Sequence, residues 1–160
     1  MGGSGVGGGT LAGLSRQLLN ETQVSAAAEL AERGNLSQVD LLVGDISAGS
    51  VASLSPEVTA ANFGKLHSHA AKADLAAGLV NLVFQTIGVL ACFSCLDWEN
   101  KTIAAVGTLA TLPSAKRILE EVGSLHGTTF LIPENAEYAT AIGAVIQFFH
   151  EKDDGKKVHS

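Results

Sequence analysis

"TIAAVGTLATLPSAKRILEEVGSLHGTTFLIPENAEYATAIGAVIQFFHE", residues 102–151, alternates short apolar runs with helical periodicity. Thr102–Val106 is short, apolar and closed by Gly107, which reads as a strand. Residues 112–125 carry Pro113 near their start and apolar residues at helical spacing, so they read as a helix. A second strand, "TTFLI" at 128–132, and a second helix, "EYATAIGAVIQFFHE" at 137–151, follow. Strand, helix, strand, helix is the rhythm of an α/β protein with parallel pairing. Two strands alone do not make a stable sheet, so further strands are expected from a region without a clear strand signal or from polypeptide outside this chain.

Working back from that unit, the run "LAAGLVNLVFQTIGVLACFSCL" at 75–96 is long enough to span a bilayer. Asn81, Gln85 and Thr86 in its middle, Gly78 and Gly88, and flanks without Lys/Arg asymmetry favour a buried helix instead, packed inside the fold or against a partner subunit. Asn81 and Gln85 are four apart and share one helical face. Cys92 and Cys95 form a Cys-x-x-Cys pair, but two thiols with no His at ligand spacing make no zinc site, and they read as small buried hydrophobes.

Earlier in the chain, Thr10 to about Asn20 has Leu11, Leu14, Leu18 and Leu19 at helical spacing, and Gln23–Arg33 is an Ala-rich helix with Gly34 as its C-terminal cap. Ser37-Gln38-Val39-Asp40 has the form of a capping box and predicts another helical turn or two. Ser55-Pro56-Glu57 is a helix start signal and predicts a helix through "VTAANFGKLHSHAAK".

The chain has 160 residues, of which 46% are hydrophobic, enough for one domain with a buried core. Its 16 acidic against 10 basic residues give a net charge of −6, with no basic cluster larger than a pair such as Lys156-Lys157, so a nucleic-acid partner is not expected. No secretory signal opens the sequence and no membrane partner is expected, which makes a cytoplasmic location the default. The sequons at Asn20, Asn35 and Asn100 then carry no meaning.

Chemistry is sought in the loops, and in open α/β sheets ligands collect at the carboxyl ends of strands. Here those ends are Gly107-Thr108-Leu109 and Pro133-Glu134-Asn135. "GGSGVGGGT", residues 2–10, holds six glycines in nine positions just before a helix. Its backbone N–H groups and helix start, with the Thr10 hydroxyl, suit a phosphate, although no strand precedes Gly3-x-Gly5-x-x-Gly8 and no Walker signature is present. On spacing alone a flexible N-terminus fits equally well. His67 and His69, two apart in the expected helix, cannot face one ligand, and His126, His150 and His159 read as exposed. Asp40, Asp45, Glu57, Asp74, Glu134 and Glu137 are candidate general bases that spacing does not rank, so no catalytic residue is assigned.

"GGGTLAGL" (7–14), "TAANFGK" (59–65), "VGTLATLP" (106–113) and "ENAEYATAIGA" (134–144), in this order and at these separations, resemble the carboxyl-terminal half of a type II pantothenate kinase. The resemblance runs from about Gly2 to Gln147, and "TAANFG" is its most specific piece. It implies the helix-rich C-terminal half of an actin-like ATPase (ribonuclease H-like) fold within the α/β class. Residues 1–150 would be the nucleotide-binding and dimerisation half, and 151–160 a solvated tail.

The implied activity is transfer of the γ-phosphate of ATP, carried with Mg2+, to the primary hydroxyl of pantothenate. By the same resemblance Gly7, Gly8, Gly9, Thr10 and Leu11 contact ATP phosphates, Gly107 and Thr108 lie near the nucleotide, and no protein metal site is expected. Ala141, Gly143 and Ala144 would let the last helix pack close to that site, and the run 75–96 would sit in a homodimer interface. The family's first phosphate loop, catalytic Glu and an Arg ahead of the glycine loop have no match here. The expectation is therefore an ATP-binding half that is inactive alone, either truncated or completed by a separate N-terminal half, or else a non-catalytic dimerisation or regulatory module.

Overall fold

The computed structural model describes residues 3–47 and 54–157, with side chains described as far as His150. Gly2 of the glycine stretch and His159 lie outside the described residues. The fold is α/β and helix-rich. Helix α1 (Gly8–Leu14) runs into a π-helical turn over Ser15–Leu19 that ends on left-handed Asn20. Helix α2 spans Val24–Ala31, and a 3-10 turn over Leu36–Gln38 leads to β1 (Leu41–Leu42) and the short α3 (Val43–Ile46). Then come β2 (Thr59–Ala61), the long α4 (Lys72–Ser94), β3 (Thr102–Ala104), α5 (Ala115–His126), β4 (Thr129–Leu131) and α6 (Ala139–Lys157).

The expected α/β unit is present. β3 and β4 pair in parallel, Ile103 opposite Phe130, and Ala105 N–H extends the pairing by donating to Leu131 O at 2.8 Å. Between them α5 is stopped by Gly127 at φ +64, a left-handed C-cap. The further strands form a separate antiparallel pair, β1 with β2, rather than extending the parallel pair.

α4 is the central helix, flanked by α2 and α5. Its Leu79, Val80, Val83 and Phe84 meet Leu11, Leu19 and Ala27 from the N-terminal helices and Ile118, Leu119 and Val122 from α5 in one core. By length and composition it passes as a membrane span, yet half of its most apolar window is buried within the fold. Cys92 and Cys95 are buried and free, as small core residues.

Three local readings give way to tertiary contacts. The helix expected from Ser55 is instead a turn, strand β2 and a loop. Ser55 Oγ does accept from Glu57 N–H, but Val43 N–H and Gly44 N–H take the carbonyls of Val58 and Pro56, pulling the segment into the β1–β2 pair. The capping box at Ser37 is likewise absent: Asn35 caps the 3-10 turn, accepting from Ser37 N–H at 3.1 Å, and Asp40 turns inward. Gly34 follows α2 for a different reason from the one expected. A Cβ there would run into the carbonyl oxygen of Ala73, so the glycine permits close approach to the start of α4 rather than supplying a left-handed cap.

Candidate functional site

The glycine-rich segment enters α1 through an organised turn. Gly5 adopts φ +72, and Thr10 Oγ1 donates to Gly5 O at 3.1 Å while accepting from Gly7 N–H at 3.3 Å. The threonine hydroxyl thus holds the loop and is not a free donor. Leu11 N–H is already bonded to Gly7 O at 2.9 Å, and its side chain is fully buried, so Leu11 anchors the turn to the core. Helix geometry leaves the first-turn N–H groups of Gly8, Gly9 and Thr10 without an intrahelical acceptor. Gly9 is exposed, and a Cβ on it or on Gly7 would meet nothing within 4 Å. This end is therefore open to an incoming anion, which the helix dipole favours.

The second expected segment lies against the first. A Cβ on Gly8 would contact the Leu109 side chain at 3.5 Å. Leu109 sits in a 3-10 turn, Thr108–Thr111, that begins after Gly107 at φ +98. Gly107 N–H donates to Ala136 O at 2.8 Å, tying the turn after β3 to the turn after β4. So the glycine loop and the carboxyl ends of both parallel strands converge, and exposed Thr108 stands at that junction. The last helix does not close over it as expected. Ala141, Gly143 and Ala144 are exposed, and a Cβ on Gly143 would meet nothing within 4 Å.

Among the candidate carboxylates the structure separates Asp40 from the rest. It has no accessible surface, and Oδ1 accepts from Phe63 N–H at 2.8 Å. Oδ2 accepts from Asn81 Nδ2 at 2.9 Å and Thr59 Oγ1 at 3.3 Å. Burial pushes its carboxyl above the ordinary aspartate value, against the opposing pull of these bonds and of Lys65. Asn81 and Gln85 do share one face of α4, and that face meets the "TAAN" segment: Asn81 Nδ2 donates to Thr59 Oγ1 at 3.1 Å, and Asn62 Nδ2 donates to Gln85 Oε1 at 3.2 Å.

Phe63 sits at φ +58, and its ring reaches Gly78 of α4, where a Cβ would stand 2.9 Å from Cζ. A Cβ on Gly64 would stand 2.6 Å from the Leu41 Cβ. Through half-buried Thr59, Asn62 and Phe63, "TAANFG" thus clamps the buried Asp40 and Asn81 and ties β1 to α4. A cleft of about 830 Å3 opens beside it, with Asn81, Gln85 and Thr59 on one wall and α5 on the other.

The remaining carboxylates do local work. Asp45 is held below the usual range by Lys65 at 2.7 Å and by Leu42 N–H, and Asp74 accepts from Asn35 N–H at 2.7 Å. Glu57, Glu134 and Glu137 are exposed. His67 and His69 lie in an exposed turn, not a helix, with His69 N–H donating to His67 Nδ1. His126 is half-buried edge-on against Phe93, and His150 is exposed. Among the described residues no group of three or more His, Cys, Asp or Glu is placed to hold a metal.

A glycine-rich helix start gathered at the carboxyl ends of parallel strands is the place where α/β proteins commonly seat their ligands. The family model described as Fumble matches residues 1–122, and the chain belongs to this pantothenate kinase family. It is 31% identical over 147 residues to a type II pantothenate kinase of Oceanobacillus iheyensis, covering 90% of this chain and 56% of that protein. It is 36% identical over 155 residues to one from Bacillus cereus, and 28% identical over 155 residues to one from Bacillus anthracis, each time covering 94% of this chain and 56% of the relative. The chain thus spans just over half the length of these relatives.

Proposed function

We propose that this chain supplies the ATP-binding half of a pantothenate kinase with an actin-like fold. The observation that carries the reading is the convergence of Gly7–Thr10 with the Gly107–Leu109 turn, close enough that a Cβ on Gly8 would stand 3.5 Å from the Leu109 side chain. ATP would lay its phosphates on the first-turn N–H groups of α1, where backbone donors and the helix dipole supply positive potential that the acidic composition does not. Mg2+ would arrive on the nucleotide, held by phosphate oxygens.

In the reaction the pantothenate hydroxyl oxygen forms a bond to the γ-phosphorus while the bond from that phosphorus to the bridging oxygen of ADP breaks. The hydroxyl proton passes to a general base. The chain's own contribution is positioning and charge stabilisation, and the general base belongs to the rest of the kinase. The chain alone is accordingly expected to bind nucleotide and to turn over slowly or not at all. A homodimer through the outer side of α4, where Leu90 and Phe93 are exposed, accords with the family resemblance.

The test is a thermal shift with ATP and Mg2+, since ligand bound only by the folded state raises its stability. At nucleotide about 100 times its Kd the stabilisation is about 2.7 kcal/mol. Gly9→Val fills open space, so the fold should tolerate it while the nucleotide shift is lost. An unshifted midpoint at saturating ATP overturns the reading in favour of a module without nucleotide.

A further inference from the structure

α6 is the one long helix whose described side chains from Thr140 to His150 are all exposed. Five of them are large and apolar: Ile142, Val145, Ile146, Phe148 and Phe149, each 48–60% exposed. At 100° per residue these five cover an arc of about 160°, with Thr140, Gln147 and His150 on the opposite side. A two-helix seam needs only the narrow stripe of a strict heptad, whereas an arc this wide is the core-facing side of a helix in a layered domain. A second uncovered surface accompanies it. Parallel sheets are ordinarily covered on both faces, yet on β4 only Phe130 is buried, while Leu131 is 53% exposed. Meanwhile the relatives carry a further stretch of chain, of which this one matches only 56% of the whole.

We propose that the apolar face of α6, together with the uncovered face of the β3–β4 pair, seats the portion of a pantothenate kinase that this chain leaves unmatched in its relatives. The proposal rests on the reading of the chain as one half of such a kinase. The occupant is a folded layer rather than a second copy of α6, because the arc exceeds what one partner helix covers.

The experiment joins to this full chain, through a Gly/Ser linker, the part of the Oceanobacillus iheyensis enzyme that the chain does not match. The linker supplies a millimolar-range effective concentration, about what a weak heterologous pair needs. Hydrogen exchange of residues 139–150, light scattering and the ATP thermal shift are measured on the chain and on the fusion. Fast exchange in the chain and slowing on the order of 100-fold in the fusion are expected. Ile142→Glu with Phe149→Glu should restore fast exchange in the fusion without lowering the chain's own melting midpoint, and Thr140→Glu on the polar side should change neither.

Exchange in α6 that stays fast in the fusion overturns the proposal, as does slow exchange in the chain alone at the mass of two copies. The ATP shift of the chain separates the two failures. A shift with α6 still exposed sinks the docking surface alone, and no shift in chain or fusion sinks the kinase reading beneath it.

Discussion

Asn81→Ala tests whether the buried clamp at Asp40 stabilises the fold in the way its geometry indicates. Asn81 is 4% exposed and donates at 2.9 Å to a carboxylate with no accessible surface, so truncation leaves Oδ2 with the longer Thr59 bond alone. A hydrogen bond to a buried charge is worth about 1.5–3 kcal/mol, and the small void adds about 1 kcal/mol. Alanine's better helix propensity returns roughly 0.6 kcal/mol. The net loss is about 2–3 kcal/mol, which lowers a urea midpoint by about 1 M for a slope near 2 kcal/mol per molar.

The pH dependence distinguishes this cause from simple loss of packing. Asp40 already has a folded-state pKa above its unfolded value, so the stability linked to its proton is fully present below the unfolded pKa and is lost as pH rises through the folded one. Removing a donor that favours the ionised form raises the folded value further. The penalty of Asn81→Ala should therefore be larger at a pH above the folded-state pKa of Asp40 than at one below it, where the protonated carboxyl no longer needs the amide. A penalty equal at both pH values would refute the electrostatic account.

Other substitutions follow from the same contacts. Gly34→Ala drives a methyl into the Ala73 carbonyl and should cost about 2 kcal/mol or more in chemical unfolding. Gly13→Ala, on an exposed face of α1 with nothing within 4 Å, should stabilise by about 0.5–1 kcal/mol in the same assay. Lys65→Gln removes the chief cause of the depressed Asp45 carboxyl, whose pKa in an NMR titration should rise towards the ordinary value. With that depression goes whatever stability is present above the unfolded pKa and lost as pH falls through the folded one.

How much of this was legible in the sequence depends on how far away the deciding contacts lie. The β3–α5–β4 unit and α4 declare themselves by local signals: the apolar run ending in Gly107, the period of α5 and its glycine stop, and 22 residues of nearly unbroken apolarity. The glycine loop was half readable, since a backbone without Cβ atoms before a helix is a local property but suits a flexible terminus equally well. Its contact with Leu109 was not, because a hundred residues separate Gly8 from its neighbour and only the fold joins them.

Residues 55–70 show how strong local signals lose. Ser55-Pro56-Glu57 is a sound helix start, but forming that helix would strand the Asp40 carboxylate, which instead takes Thr59 Oγ1 from β2 and Phe63 N–H from the turn after it. A buried charge without donors costs more than a few residues of helix propensity supply, so the non-local contacts win. Asp40 itself was hidden in a plausible capping box, and its partner was half visible. Asn81 and Gln85 announced a polar face in the middle of an apolar helix. Such a face inside a core must be matched by polar groups from another element, and Thr59 and Asn62 of "TAAN" are the groups that meet it.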